Sequence, residues 1–314
     1  MTTIISPKSN ACTKLRHGLM ELLKVRLNTM VVTTAVVGYL LVHGQTDWGQ
    51  LHGLALGTFA LASAASIMNQ VIEQSRDALM QRTAHRPLVT GQITPTTARY
   101  LGLVLALVGS WILVVTCGYQ VAALGLGNFL LYTLVYTSLK PISTTNTLVG
   151  AICGAVPPVM GWIAAGGSWT GAGGWLLGLL LFAWQIPHFL ALAWLYQEDY
   201  LRGGFKMLAS NDADGITTGR MMILYSLALV PIGLIAILVQ MVGWFGGGVA
   251  CLMGMGMVLL AIKFSRKPSL ASARKLFLYS VIYLPVVLLA LVVDRTAADA
   301  TAQIALNLLV SAPR

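Results

Sequence analysis

Apolar stretches of about twenty residues recur along nearly the whole chain, and each is long enough as a helix to cross a hydrocarbon layer of ~30 Å. Nine can be delimited, at about residues 27–43, 51–74, 99–117, 120–139, 146–166, 174–197, 220–242, 244–263 and 275–293. The polar breaks between them sort their charge by alternation. With the N-terminus inside, Lys and Arg fall into five groups on one side: Lys8 to Arg26, Arg76 to Arg99, Lys140, Arg202 to Arg220, and Lys263 to Lys275. Of the 20 basic residues only Arg295 and Arg314 lie outside. Cytoplasmic loops of membrane proteins retain basic residues in this way, whereas loops of soluble proteins have no reason to. The pattern predicts an all-α integral membrane protein of about nine transmembrane helices, N-terminus cytoplasmic and C-terminus outside. The chain then divides into a cytoplasmic segment 1–26, a transmembrane domain 27–293 and a periplasmic tail 294–314.

Composition agrees with the pattern. Charged residues make up 10% of the chain and hydrophobic ones 57%, and mean hydropathy is +0.77, against roughly one quarter charged in soluble domains. The net charge of +10 is dispersed over membrane loops with no aromatic-rich basic domain, so no nucleic-acid partner is expected. Cys12, Cys117, Cys153 and Cys251 are far apart and three sit in apolar spans, which excludes a disulfide framework or a Cys-rich metal site. The first 25 residues hold Lys8, Lys14, Arg16 and Lys24 without an apolar core before a small-residue cleavage site, so no cleaved secretory signal is expected. A short mitochondrial presequence stays open. A bacterial inner membrane is favoured over the mitochondrial one. The moderately apolar tail stretch, Ile304 to Val310, is too short to span and is expected along the outer surface.

With ten acidic residues in the chain, their placement can be read singly. Asn69, Glu73 and Asp77 are spaced by four at the end of the second apolar run, so they share one helical stripe. Two carboxylates and an amide form an all-oxygen set suited to a hard cation such as Mg²⁺, which in turn binds phosphate. The same stripe is also what a solvated helix end would show. Arg82 and Arg86 follow four apart. Guanidinium forks match phosphate oxygens, and acids beside arginines describe a diphosphate clamp. Six of the ten acids lie in two loops on one face, with Glu198, Asp199, Asp212 and Asp214 in the second.

That second cluster begins inside the membrane. Pro187, in Trp184-Gln185-Ile186-Pro187-His188-Phe189, is expected to bend the sixth helix. His188 and Asp199 are placed to share a helical face if the bend does not rotate it. His188 reads either as a hydrogen-bonded packing residue or as part of a cavity wall. Lys140, the single charge of its loop, either anchors topology or supplies a cation to the shared site. In the fifth span, small residues around Pro157 and Pro158 allow close packing, and the paired prolines are expected to break the helix.

The assembled pattern resembles the UbiA superfamily of intramembrane prenyltransferases, through Asn69-x-x-x-Glu73-x-x-x-Asp77, through Arg82-Thr83-x-x-Arg86-Pro87-Leu88, and through the second acidic loop. Three further segments are similar to the branch that prenylates haem: Tyr132 to Lys140 with Asn146 and Gly150, Gly154 to Trp162, and Trp184 to Phe189 with Asp199-Tyr200 and Lys206-Met207-Leu208. The resemblance covers about Leu23 to Val293 and implies a bundle around a central cavity. It implies transfer of a farnesyl group from farnesyl diphosphate to the C2 vinyl group of haem B, giving haem O and diphosphate. It further implies Mg²⁺ held by Asn69, Glu73, Asp77, Glu198 and Asp199, and diphosphate bound by Lys24, Arg26, Arg82, Arg86, Lys140 and Lys206. Tyr136, Trp184, His188 and Tyr200 are implied in the haem or prenyl chamber, and haem A synthase or terminal-oxidase assembly factors as partners beyond the lipid bilayer. The chain departs from the family at Glu73, where an aspartate is usual, and at Val25, where proline is common between Lys24 and Arg26.

The alternatives are a quinone-precursor polyprenyltransferase, which shares the metal clamp, a transporter, and a noncatalytic assembly protein for a haem-copper oxidase. Against a transporter, the acids collect at one face and no inverted repeat is evident.

Overall fold

The computed structural model describes residues 16–42 and 44–311, with side chains described as far as residue 295. Lys8, Cys12 and Lys14, with the signal and presequence readings attached to them, lie outside the described residues, as does Arg314. Every regular element among the described residues is a helix. Nine are apolar: α1 (Val25–Leu40), α2 (Trp48–Asp77), α3 (Pro95–Cys117), α4 (Tyr119–Leu139), α5 (Asn146–Ala164), α6 (Ala172–Leu195), α7 (Ile216–Leu238), α8 (Trp244–Arg266) and α9 (Leu270–Arg295). α2 to α9 are each long and apolar enough to cross a membrane, so the chain is a multi-pass membrane protein. α1 has 16 residues, about 24 Å at the helical rise.

Boundaries moved where turn chemistry intervened. The expected first span, 27–43, ends at Leu40. Gly44, at φ 145°, stands in the following turn, and Asp47 then caps α2 by accepting the Gln50 N–H at 3.1 Å, which starts that helix at Trp48 rather than 51. A short helix over 16–22 precedes α1. Lys24 joins the two at φ 46°, a left-handed conformation that costs a non-glycine residue about 1 kcal/mol. The last helix continues beyond the span to Ser311, so the 304–310 stretch is an extension of α9.

The break expected at Pro157 and Pro158 does not occur: α5 is continuous through both, and α6 likewise runs unbroken through Pro187. The reason is visible at Pro157, whose missing N–H frees the Cys153 carbonyl one turn back. Asn128 Nδ2 of α4 donates to that carbonyl at 3.0 Å. The break falls later, at Tyr196 (φ −116°), after which a short helix, Gln197–Arg202, carries the second acidic loop. His188 and Asp199 therefore lie on different helices and do not share a face.

The buried apolar residues form two main groups. One joins α1 to α5 through Leu54, Leu61, Leu113 and Met160; the other joins α6 to α9 through Leu177, Met222, Phe264 and Tyr283. α1 crosses α5 with the backbones nearly touching, since a Cβ added at Gly161 would overlap the Ala35 carbonyl oxygen, the close approach that small residues permit between membrane helices. Outward positions such as Leu107, Trp111, Leu224 and Leu289 are exposed and apolar, as lipid requires. Trp48, Tyr119, Trp169, Trp175 and Trp244 are also exposed. All five stand at helix ends or loops on the side opposite the acidic loops, an aromatic belt at one membrane interface.

Candidate functional site

Asn69, Glu73 and Asp77 occupy the inward face of α2 in its last turns, and each is at least 95% buried. A helix C-terminus is the end where the macrodipole disfavours carboxylates. Their charge is met by cations from three other segments. Lys24 Nζ donates to Asn69 Oδ1 at 3.2 Å, Lys140 Nζ stands 2.8 Å from Glu73 Oε1, and Arg86 is ion-paired with Asp77 Oδ2. Asp77 Oδ1 is buried without a hydrogen-bond partner. The chain turns sharply after α2, with Thr83 Oγ1 donating to the Asp77 carbonyl at 2.8 Å, and this turn swings Arg86 back over the stripe.

Lys140 arrives by a device invisible in the apolar pattern. Leu131–Tyr136 of α4 is wound as a π-helix, and Thr137 Oγ1 donates to the Tyr132 carbonyl five residues back at 2.8 Å. Such a wide turn shifts the helical face and often marks a functional site. It places Thr137 Oγ1 3.2 Å from Asn69 Nδ2, which donates to it, and Lys140 Nζ 4.7 Å from the centre of the Tyr136 ring. Burial works against the Lys140 ammonium, but the Glu73 carboxylate and the Tyr132 hydroxyl hold its pKa above the usual lysine value. Lys24 has weaker compensation: burial, aided by Arg86 and Lys140, pulls it down to about 7.

The second loop docks against the first. Arg76 Nη1 donates to the carbonyls of Gly203 and Gly204 at 3.0 and 3.2 Å. Arg82 Nη2 donates to the Tyr200 hydroxyl at 3.2 Å and lies 4.8 Å from the Tyr196 ring centre, a cation held over an aromatic face. Asp199 Oδ1 accepts the Gln81 backbone N–H at 3.0 Å and pairs with Arg202 three residues on. The Arg202 hydrogen bond, opposed by burial and helped by the Gln81 N–H, holds Asp199 below the usual carboxylate pKa. The Lys206 backbone N–H donates to the Lys140 carbonyl at 2.7 Å, and Asn146 Nδ2 donates to the Lys206 carbonyl at 2.9 Å, so Lys206 ties two loops through its main chain.

These groups surround the mouth of a cavity of about 520 Å³ that runs into the bundle, within the ~300–1,000 Å³ usual for substrate pockets. Lys24, Asn69, Glu73, Asp77, Arg82, Arg86 and Lys140 line its polar end, and Tyr136, Tyr200, Trp184 and His188 stand along its wall. Arg26, Glu198 and Lys206 are exposed and stand outside the lining, as does the buried Asp199. Among the described residues no three acid, histidine or cysteine side chains converge so as to hold a metal. An ion here would need Asn69 and a ligand's own oxygens beside Glu73 and Asp77, and the partnerless Asp77 Oδ1 fits that donor set.

Several residues that shape the site had no reading of their own in the sequence: Arg76, Gln81 through its backbone, Asn128, Thr137, and Ser280 of α9. Carboxylates in the last turn of a helix, at the end the dipole disfavours, were the available signal for buried cationic partners.

Residues 30–284 match the model of the UbiA prenyltransferase family. A protoheme IX farnesyltransferase of Opitutus terrae is 40% identical over 282 residues, 88% of this chain and 94% of that protein. The mitochondrial protoheme IX farnesyltransferase of Homo sapiens is 40% identical over 271 residues, 86% of this chain and 60% of that protein. Among solved structures, a UbiA homolog from Archaeoglobus fulgidus bound to DMAPP and Mg²⁺ superposes with a TM-score of 0.57, covering 87% of this chain and 98% of that one at 13% identity. At that identity the likeness is one of fold.

Proposed function

Because the chain belongs to the UbiA prenyltransferase family, we propose that its cavity transfers a farnesyl group from farnesyl diphosphate to the C2 vinyl group of haem B, giving haem O and diphosphate. The relatives at 40% identity over most of the chain support this reading. The observation that carries it is the mouth of the cavity, where two buried carboxylates and four cations converge above an apolar chamber. The exposed Arg26, Glu198 and Lys206 are left at the rim.

Lys24, Arg82, Arg86 and Lys140 bind the diphosphate oxygens, while Asn69, Glu73 and Asp77 hold Mg²⁺. Mg²⁺ held there would neutralise charge on the diphosphate oxygens; the Archaeoglobus neighbour is a structure bound to DMAPP and Mg²⁺. On substrate binding Lys140 and Arg86 exchange carboxylate for phosphate, so neither of these buried cations is left without an anion. Asp199 acts through the Gln81 N–H and keeps the first loop, with Arg82, turned toward the diphosphate.

With leaving-group charge stabilised, the allylic C1–O bond of farnesyl diphosphate breaks and the electron pair leaves with diphosphate. The rings of Tyr136 and Tyr132, 4.9 Å apart, present π faces that favour the allylic cation, and the apolar wall excludes early water. The terminal vinyl carbon of haem forms the new C–C bond. Water then adds to the carbon beside the porphyrin ring and loses a proton, completing the hydroxyethylfarnesyl side chain.

We also read the N-terminal segment 1–26 as cytoplasmic, 27–293 as the transmembrane domain, the tail 294–314 as periplasmic, and the membrane as a bacterial plasma membrane. The test of function is to incubate the purified protein with haem B, farnesyl diphosphate and Mg²⁺ and identify the products by mass. Farnesylated haem is expected. Its absence from folded protein that prenylates an aromatic acid instead would replace this reading by the quinone-precursor one.

A further inference from the structure

His188 is restrained more closely than packing requires. Its Nδ1 lies 2.8 Å from Ser280 Oγ, and Ser280 Oγ lies 2.6 Å from the Phe277 carbonyl oxygen. A hydroxyl has one proton, and a carbonyl can only accept. Ser280 therefore donates to Phe277 and presents a lone pair to His188, whose Nδ1 must carry the hydrogen. The neutral ring is left with its lone pair on Nε2, which makes no hydrogen bond among the described residues, on a side chain that lines the cavity.

The ring plane is fixed as well. Trp184 stacks on the imidazole with centroids 5.0 Å apart and planes at 24°, and Phe277 stacks at 4.9 Å and 28°. The Trp184 indole N–H donates to the Ser280 carbonyl at 2.8 Å, so one residue of α9 orients both rings. Three residues before His188, Gln185 is 6% exposed and lines the same cavity. Its amide makes no hydrogen bond among the described residues, and a Cβ added at Gly154 opposite would overlap that amide. Two unpartnered polar groups thus face the chamber from one stretch of α6.

A histidine that ligates a metal characteristically gives its second ring nitrogen to a hydroxyl, carbonyl or carboxylate, which fixes tautomer and orientation. We infer that His188 Nε2 is an axial ligand to the iron of the haem substrate, with Ser280 as the positioning residue that sets its tautomer. This rests on haem being the acceptor. Ligation sets the macrocycle plane across the Fe–N bond and makes the iron a pivot, so that only rotation about this bond remains to bring the vinyl edge to the allylic carbon. Gln185 offers a neutral hydrogen-bonding group on that wall to stop the rotation.

The test uses the full chain in lipid nanodiscs titrated with haem B and followed by absorbance. The wild type is expected to bind haem with the spectrum of a histidine-ligated iron. His188→Gly should lose that spectrum and regain it with added imidazole. Ser280→Ala should keep the spectrum and weaken haem binding about tenfold, the scale of losing a hydrogen bond to a ligating histidine. Farnesyl diphosphate binding, measured in parallel, reports that each variant is folded. A folded His188→Gly protein that retains the wild-type spectrum and affinity overturns the inference while leaving farnesyl transfer to haem intact. A wild type that binds no haem and prenylates another acceptor overturns the functional reading itself.

Discussion

The two acidic loops share a recipe in sequence, acids followed by basic residues at one membrane face, yet they are built differently. In the first, Glu73 and Asp77 are at least 95% buried, and their partners Lys140 and Arg86 come from 67 and 9 residues away. In the second, Asp199 pairs with Arg202 three residues on, a side chain 42% exposed, and Glu198 stands in the open. Pairing between segments at a buried mouth makes each charge of the first loop depend on several segments folding around it. Local pairing at the rim makes the second loop a strap that latches the first through Gln81 and Arg76.

This contrast ranks the substitutions. Asp77→Asn removes a buried carboxylate of the stripe that keeps one oxygen without a hydrogen-bond partner, and turnover measured as haem O by mass should fall about 10²–10³-fold. It also leaves Arg86 without its buried partner, at a cost of about 3–5 kcal/mol, which thermal unfolding in detergent will register. Activity within tenfold of wild type would mean that burial at the end of α2 is structural and would erase the contrast.

A smaller effect sharpens the description of the first loop. Glu73→Asp withdraws the carboxylate by one methylene from Lys140, now 2.8 Å away. Turnover is expected to drop about tenfold, with the ratio of Mn²⁺- to Mg²⁺-supported activity rising because a larger ion reaches the retracted oxygens. An unchanged metal ratio would detach Glu73 from the ion and leave it as Lys140's counter-charge.

Much of this arrangement was legible because the physics is local. The span count follows from apolar length, and Asn69, Glu73 and Asp77 fall on one face because four residues is nearly one turn. What escaped was non-local or against the propensity. Nothing in Tyr132 to Lys140 announces a π-turn, which exists because Thr137 and the loop contacts stabilise it in place. Pro157 argued for a break that Asn128, on another helix, removes by supplying the missing donor. Ser280 lies 92 residues from His188, and no spacing rule connects them.

The pH dependence separates the loops without a mutation. Burial beside Arg86 and Lys140 puts Lys24 at about 7, whereas Asp199 is held below the usual carboxylate range and stays ionised. Below pH 7 Lys24 is charged and favours the diphosphate; above it the ligand must draw in a proton. The affinity for farnesyl diphosphate should therefore fall as pH rises through 7, by up to about tenfold per unit, and Lys24→Arg should flatten the profile. A wild-type affinity constant from pH 6 to 9 would remove Lys24 from the diphosphate site.

The smallest effect belongs to the second loop, and it is where the contrast is most easily broken. Asp199→Asn keeps an acceptor for the Gln81 N–H but gives up the charge that Arg202 pairs with, so the strap loosens without opening the mouth. Turnover should fall about tenfold, chiefly through KM for farnesyl diphosphate, because Arg82 loses its fixed direction rather than its charge. Glu198→Gln, one residue earlier and exposed, should cost less than about threefold. If Glu198→Gln instead matched Asp77→Asn in severity, with kcat rather than KM carrying the loss, Glu198 would have to turn inward on substrate binding. The second loop would then be a mobile half of the metal site, and the division between a buried clamp and a rim strap would describe the free protein alone.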